Sequence, residues 1–199
     1  MQDRLLEYIP QGSSDYVLDL IKRESFILKI VSERKTKHGD FRVLKSGECQ
    51  ITVNDNLHSY QFLLTLIHEI AHYMAYKNYG HQIKAHGIEW KLSFQKLMLP
   101  LLNPQVFPKE LLPYLANYLR NPKASTDSDF KLAEVLLSYG DQKEVLRVNM
   151  LQENAKFEYN SHIFQKLHKR RTRILCKRLK DGKSFLFSPN TPINQVPNS

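Results

Sequence analysis

The chain has 199 residues, 42% hydrophobic and 25% charged, an ordinary composition for a protein with one sizeable core. It lacks any run of about 18 apolar residues, and its acid-containing N-terminus lacks a leader's apolar stretch, so neither a membrane span nor a signal peptide is expected; the expected compartment is the cytoplasm. Two cysteines, Cys49 and Cys176, could pair but imply no disulfide framework and are too few for an all-thiolate zinc site, and the net charge of +9 is concentrated late, with +1 over residues 1–160 and +8 over residues 161–199.

SSDYVLDLIKRE predicts an N-terminal helix capped by Ser14, with Val17, Leu18, Leu20 and Ile21 as its buried stripe. SFILKIVSE alternates Phe26, Leu28 and Ile30, KTKHGD supplies turn formers at Gly39 and Asp40, and FRVL and CQITVND resume strand character. These segments predict a small antiparallel sheet. Helical periodicity then runs from about Ser59 to Tyr79 and stops at Gly80. A second helix is expected over Gly87 to Leu99, and two more in PKELLPYLANYLR and DSDFKLAEVLLSYG. Beyond residue 144, EVLRVNM, AKFEYN, HIFQKL, RTRILCKRL and KSFLFS are all strand-like, with a hairpin signal at Asp181-Gly182. The proline-containing tail, 191–199, is expected to be loose.

Within the long helix, the stretch HEIAH places His68 and His72 four residues apart, so both imidazoles project from one face. Two neutral imidazoles one turn apart can grip one zinc ion, and Glu69, rotated by about 100° from His68, can reach a metal-bound water without being a ligand. Metal-assisted hydrolysis needs this combination, because the metal acidifies water and the carboxylate takes its proton. Composition alone would produce H-E-x-x-H about 0.02 times in such a chain. Leu63, Leu66, Ile67, Ile70 and Met74 fall on the opposite arc, as an anchoring face. A catalytic zinc takes a third protein ligand. The candidates are His81, His86 and, as an acid, Glu89; His86 is favoured because Gly87 lets the chain pass close to the metal before the next helix.

HEIAH, a short loop and then HGIEW resemble the SprT-like zinc metalloprotease family, and SERKTKHGDFR with ITVND resembles that family's strand region before the active helix. The resemblance implies His68, His72 and His86 as zinc ligands, Glu69 as general base and Trp90 as packing behind the third ligand. It implies a zincin-like metalloprotease core over residues 1–100; the predicted elements give α+β class, with a helical connection over 101–143 and a β-rich basic segment over 144–190. It also implies a protein substrate, with the sheet edge ending ITVND as a place where a substrate strand could add. Many family members carry a C-terminal zinc ribbon with four cysteines. Only Cys176 stands in the corresponding region, so one zinc per chain is expected, and that sheet must be held by Phe157, Tyr159, Phe164, Ile174, Leu175, Phe185 and Phe187.

The basic segment places Lys169, Arg170, Arg171, Arg173, Lys177 and Arg178 close together, with aromatic residues interleaved. Such a cluster attracts phosphates by counterion release, and some members of the family act on proteins attached to DNA, so DNA is the expected second partner. The competing reading is a zinc-stabilised nucleic-acid-binding module with little turnover. The presence of Glu69 argues against it, because a structural metal site needs no base.

Overall fold

A computed structural model describes residues 2–34, 36–140 and 145–196. The fold is α+β and divides into two compact units, 1–140 and 141–199.

The first unit runs α1 (Gln2–Leu6), α2 (Ser14–Arg23), β1 (Phe26–Val31), β2 (Gly39–Val43), β3 (Cys49–Asn54), α3 (Ser59–Tyr79), α4 (Ile88–Met98), α5 (Leu112–Arg120) and α6 (Phe130–Leu137). Ser13, not Ser14, precedes α2, and its hydroxyl donates to the Pro10 carbonyl instead of capping the helix. The α5 helix starts later than its sequence pattern suggested, with Pro113 in its first turn, where a missing N–H costs nothing.

The sheet is mixed, which corrects the expected antiparallel one. Its order is β1-β3-β2, with β1 parallel and β2 antiparallel to β3. All six residues of β3 are buried, so the strand ending ITVND takes the centre and the sheet edges are β1 and β2. The segment between β1 and β2 therefore crosses to the far side of β3. Asn54 holds it there: its side-chain amide donates to the carbonyls of Arg34 and Lys37, and its backbone N–H donates to His38.

Helix α3 packs on β2, β3 and α4. Phe62, Leu63, Leu66, Ile67, Ile70, Ala71 and Ala75 are all fully buried, so its middle is enclosed on nearly every side, as in a core helix. Each large apolar side chain so placed contributes roughly 1.5–3 kcal/mol. Gly80 ends the helix at φ 75°, its N–H donating to Tyr76. Leu111, Leu115, Leu119, Leu132 and Leu136, from α5, α6 and the turn before α5, join the same core, so these helices are part of this unit. Among the described residues no helix is long and apolar enough to cross a membrane.

The second unit is a sheet of β4 (Lys156–Tyr159), β5 (His162–Arg170), β6 (Arg173–Arg178), β7 (Ser184–Phe187) and β8 (Asn194–Gln195), ordered β7-β6-β5-β4-β8 and antiparallel throughout. The expected strand in EVLRVNM is absent from its described part: Val148–Met150 forms a 3-10 turn, and Arg147 makes an isolated bridge to Pro192. Part of the tail is ordered, because Ile193 is buried and Asn194–Gln195 pairs with β4; residues 197–199 lie outside the described residues. The core comprises Val148, Phe157, Phe164, Ile174, Cys176, Phe187 and Ile193, with Tyr159 packed against it. Leu175 is only partly buried and Phe185 is exposed at the edge.

Candidate metal centre

His68 and His72 project from one face of α3, one turn apart. His86 arrives from the turn preceding α4. The Nε2 atoms of the three rings lie 3.1 Å (His68–His86), 3.2 Å (His68–His72) and 2.9 Å (His72–His86) apart. Three nitrogens bound tetrahedrally at 2.0–2.1 Å would be separated by about 3.3 Å, so the trio fits a zinc-sized ion. The donor chemistry agrees. Burial pushes all three imidazoles below their ordinary pKa, with mutual proximity adding to this at His68 and His72, so the rings are neutral at pH 7. Neutral nitrogens that converge this closely present a ready ligand set for a cation. Among the described residues this is the one group of three or more such side chains that could hold a metal ion.

Two local features place His86. The backbone at His86 is left-handed, with φ 57°, which costs a non-glycine residue roughly 1–3 kcal/mol and is characteristic of functional sites. Gly87 follows in an extended conformation, and its N–H closes the turn onto Lys84. A Cβ on Gly87 would stand 2.8 Å from the Lys84 carbonyl oxygen, so only glycine fits. His81 lies apart from the trio and instead approaches the Tyr76 hydroxyl at 3.4 Å; Glu89 is not in the cluster either.

Trp90 is fully buried beneath the site. Its ring centre lies 4.6 Å from that of His68, 5.4 Å from His72 and 4.7 Å from His86. Its indole N–H donates to the His68 carbonyl, and its ring stacks on Phe94. One aromatic side chain thus supports every candidate ligand.

Glu69 is buried on the adjoining face of α3, against β2. Its carboxylate accepts from the Phe41 backbone N–H. Burial and the nearby Asp40 carboxylate raise its pKa to about 8, while that hydrogen bond and the charges of Arg34 and Lys37 pull the other way. Gly39 leaves the room: a Cβ there would stand 2.8 Å from Glu69 Oε1. In the local sequence Gly39 has the pattern of a turn former and Phe41 that of a strand residue, and neither pattern points to Glu69. The closeness of SERKTKHGDFR to α3 is tertiary, and no local pattern reveals it.

The six basic candidates do not form one patch. Lys169, Arg170, Arg171 and Arg173 cluster at the β5–β6 turn, where Arg171 takes a left-handed φ of 55°. Lys177 and Arg178 stand at the other end of β6, and Arg178 is engaged twice, by a two-pronged pair with Asp181 and by stacking on Phe185.

Residues 11–107 match the model of the SprT-like family. Neither the curated proteins nor the solved structures compared with the chain gave a match.

Proposed function

Because residues 11–107 belong to the SprT-like family, we propose that the chain is a cytoplasmic zinc-dependent metallopeptidase with a zincin-like core, hydrolysing peptide bonds in protein substrates. The observation that carries the reading is the convergence of three neutral imidazoles, His68, His72 and His86, beside a buried carboxylate on the same helix. Zinc held by these three would supply an acidified water and a Lewis acid for the scissile carbonyl. Glu69 acts as the proton acceptor. The Phe41 N–H orients its carboxylate, which takes a proton from the water and returns it to the leaving amine. Trp90 keeps the ligand rings in place and water away from their rear. The exposed basic turn Lys169–Arg173 supports a further part of the proposal, that the protein substrates include those held on DNA.

The test is Glu69→Gln. The variant is expected to retain about one zinc by elemental analysis and to lose cleavage of a denatured protein by about 10²–10⁴-fold. Wild-type cleavage by this variant would remove Glu69 from the mechanism. Zinc retention with no cleavage by either protein, with or without DNA, would favour the binding-module reading.

A further inference from the structure

A cavity of about 280 Å³ opens beside the candidate centre. Leu64, Thr65, His68 and Glu69 of α3 line one side; Arg34 and residues 36–39 line another, and the segment Ala124–Thr126 lines a third. The second segment is tied to α3, since the Gln61 side chain donates to the Thr126 hydroxyl at 3.0 Å within the buried interior. The cavity therefore has firm walls and shares Glu69 and His68 with the site.

Its chemistry is set by Arg34. The guanidinium is fixed by two bonds to neutral oxygens, Nε to Asn54 Oδ1 at 2.8 Å and Nη1 to Thr52 Oγ1 at 2.9 Å. Both partners are buried residues of the central strand. The third nitrogen, Nη2, is enclosed and has no hydrogen-bond partner among the described residues. Lys37, also on the wall, is already paired with Asp40 at 2.8 Å. Arg34 thus brings a positive charge that makes no direct ion pair with a described carboxylate, although it acts on Glu69 in the same cavity, and its neighbours hold the guanidinium still. Buried donors are almost always satisfied in native proteins, and a guanidinium fixed in this way matches a planar carboxylate.

We propose that this cavity is the subsite for a substrate group beside the scissile bond, and that Arg34 selects a carboxylate there. The inference rests on the peptidase reading for the word substrate. The carboxylate is either an acidic side chain or the terminus of a peptide.

The experiment uses the full chain and a set of otherwise identical peptides. A single Glu is moved through the sequence one position at a time, each peptide has a Gln twin, and each is made with a free and an amidated C-terminus. Binding is measured by calorimetry on metal-free protein, and cleavage is measured on zinc-loaded protein. At least one Glu register is expected to bind wild type about tenfold tighter than its Gln twin, with the same preference in kcat/KM. Arg34→Gln is expected to reduce that ratio to below about threefold, and Arg34→Lys, which keeps charge but not the fork, to fall between. Discrimination of the free from the amidated terminus in place of Glu from Gln would support the same site with the terminal source. Equal binding of all forms by wild type would overturn the proposal and leave the cavity to water. That comparison needs no variant, so it decides even if Arg34→Gln fails to fold. If nothing is cleaved, the peptidase reading fails separately, and the binding ratios still decide the subsite.

Discussion

Substituting Gly39 by alanine tests how the candidate base is placed. Gly39 has no left-handed backbone, so alanine meets no conformational barrier and the effect is steric. The added Cβ would stand 2.7 Å from Thr65 Cγ2 and 2.8 Å from both Cγ and Oε1 of Glu69, where ordinary contact is 3.4–4 Å. Something must therefore retreat by at least about 0.6 Å. The strand is poorly placed to do so, because Gly39 is registered opposite Val53 in the buried central strand. Thr65 is restrained by its hydroxyl bond to the Gln61 carbonyl. The Glu69 side chain is left to turn away, breaking its bond from the Phe41 N–H. Overpacking of this size costs about 1–3 kcal/mol of stability, and misplacing a reacting group by about 1 Å costs about 10² in rate. The three atoms nearest the new methyl group belong to Thr65 and Glu69 and not to a candidate ligand, so metal content should stay at one ion per chain. The assay is elemental analysis, denaturant unfolding and cleavage of a denatured protein on the same preparation. A folded, zinc-loaded Gly39→Ala protein that cleaves within threefold of wild type would refute the placement of Glu69 by β2.

Other perturbations separate the remaining parts. His86→Ala should weaken zinc binding by more than the 10–100-fold typical of an outer-shell loss, whereas His81→Ala should leave metal content unchanged; loss of zinc from the His81 variant would reassign the third ligand. Replacing Lys169, Arg170, Arg171 and Arg173 by glutamine should reduce the salt dependence of single-stranded DNA binding by up to about 0.7 per contact removed, while Arg178→Gln, whose charge is already paired with Asp181, should change it little; a slope unchanged by the fourfold variant would remove the basic turn from the interface. Cys176 gives a pH test in the second unit. Burial pushes its thiol up to about 11 from an ordinary 9.0, so above pH 9 the unfolded chain loses a proton that the folded chain keeps. The contribution is fully present below pH 9 and is lost as pH rises through 11, amounting to about 2–3 kcal/mol. Denaturation of the second unit followed at pH 8 and pH 11 should show this loss, and Cys176→Ala should not; equal loss in both would assign the alkaline sensitivity elsewhere.

Local periodicity explains which features could be read in advance. The bounds of α3, its stop at Gly80 and the shared face of His68 and His72 all follow from contacts within four residues. The hairpin at Asp181-Gly182 was legible for the same reason, with Gly182 at φ 71°. The mixed sheet was not. Its order depends on where the segment between β1 and β2 crosses, and that crossing is fixed by Asn54, some twenty residues from Arg34. Alternation identifies strands but is blind to which neighbour they choose. The same limit hid the site's second half. Gly39, Phe41 and Arg34 reach α3 only through the sheet, so their relation to Glu69 leaves no periodic trace. The basic residues show the opposite limit, because closeness in sequence does not imply closeness in space, and a strand of six residues separates the two ends of that group.

The third candidate ligand shows a different division of labour. Residues 81, 82, 84 and 85 of the preceding loop are exposed, and the loop's own ties are the packing of Ile83 on the core and the Lys84 carbonyl that accepts from Gly87. The rest of what holds His86 is downstream. Gly87 has no space for a side chain beside Lys84, and its carbonyl starts α4 by accepting from Lys91. Trp90, one turn into α4, is locked between the His68 carbonyl and Phe94. The packing of α4 on α3 therefore fixes Trp90, Trp90 supports His86, and the strained left-handed residue is sustained by a core that is already buried. On this argument the site is specified by two short blocks, HEIAH and HGIEW, each rigid through its own helix. The number of residues between them is free to vary so long as α4 docks in the same place.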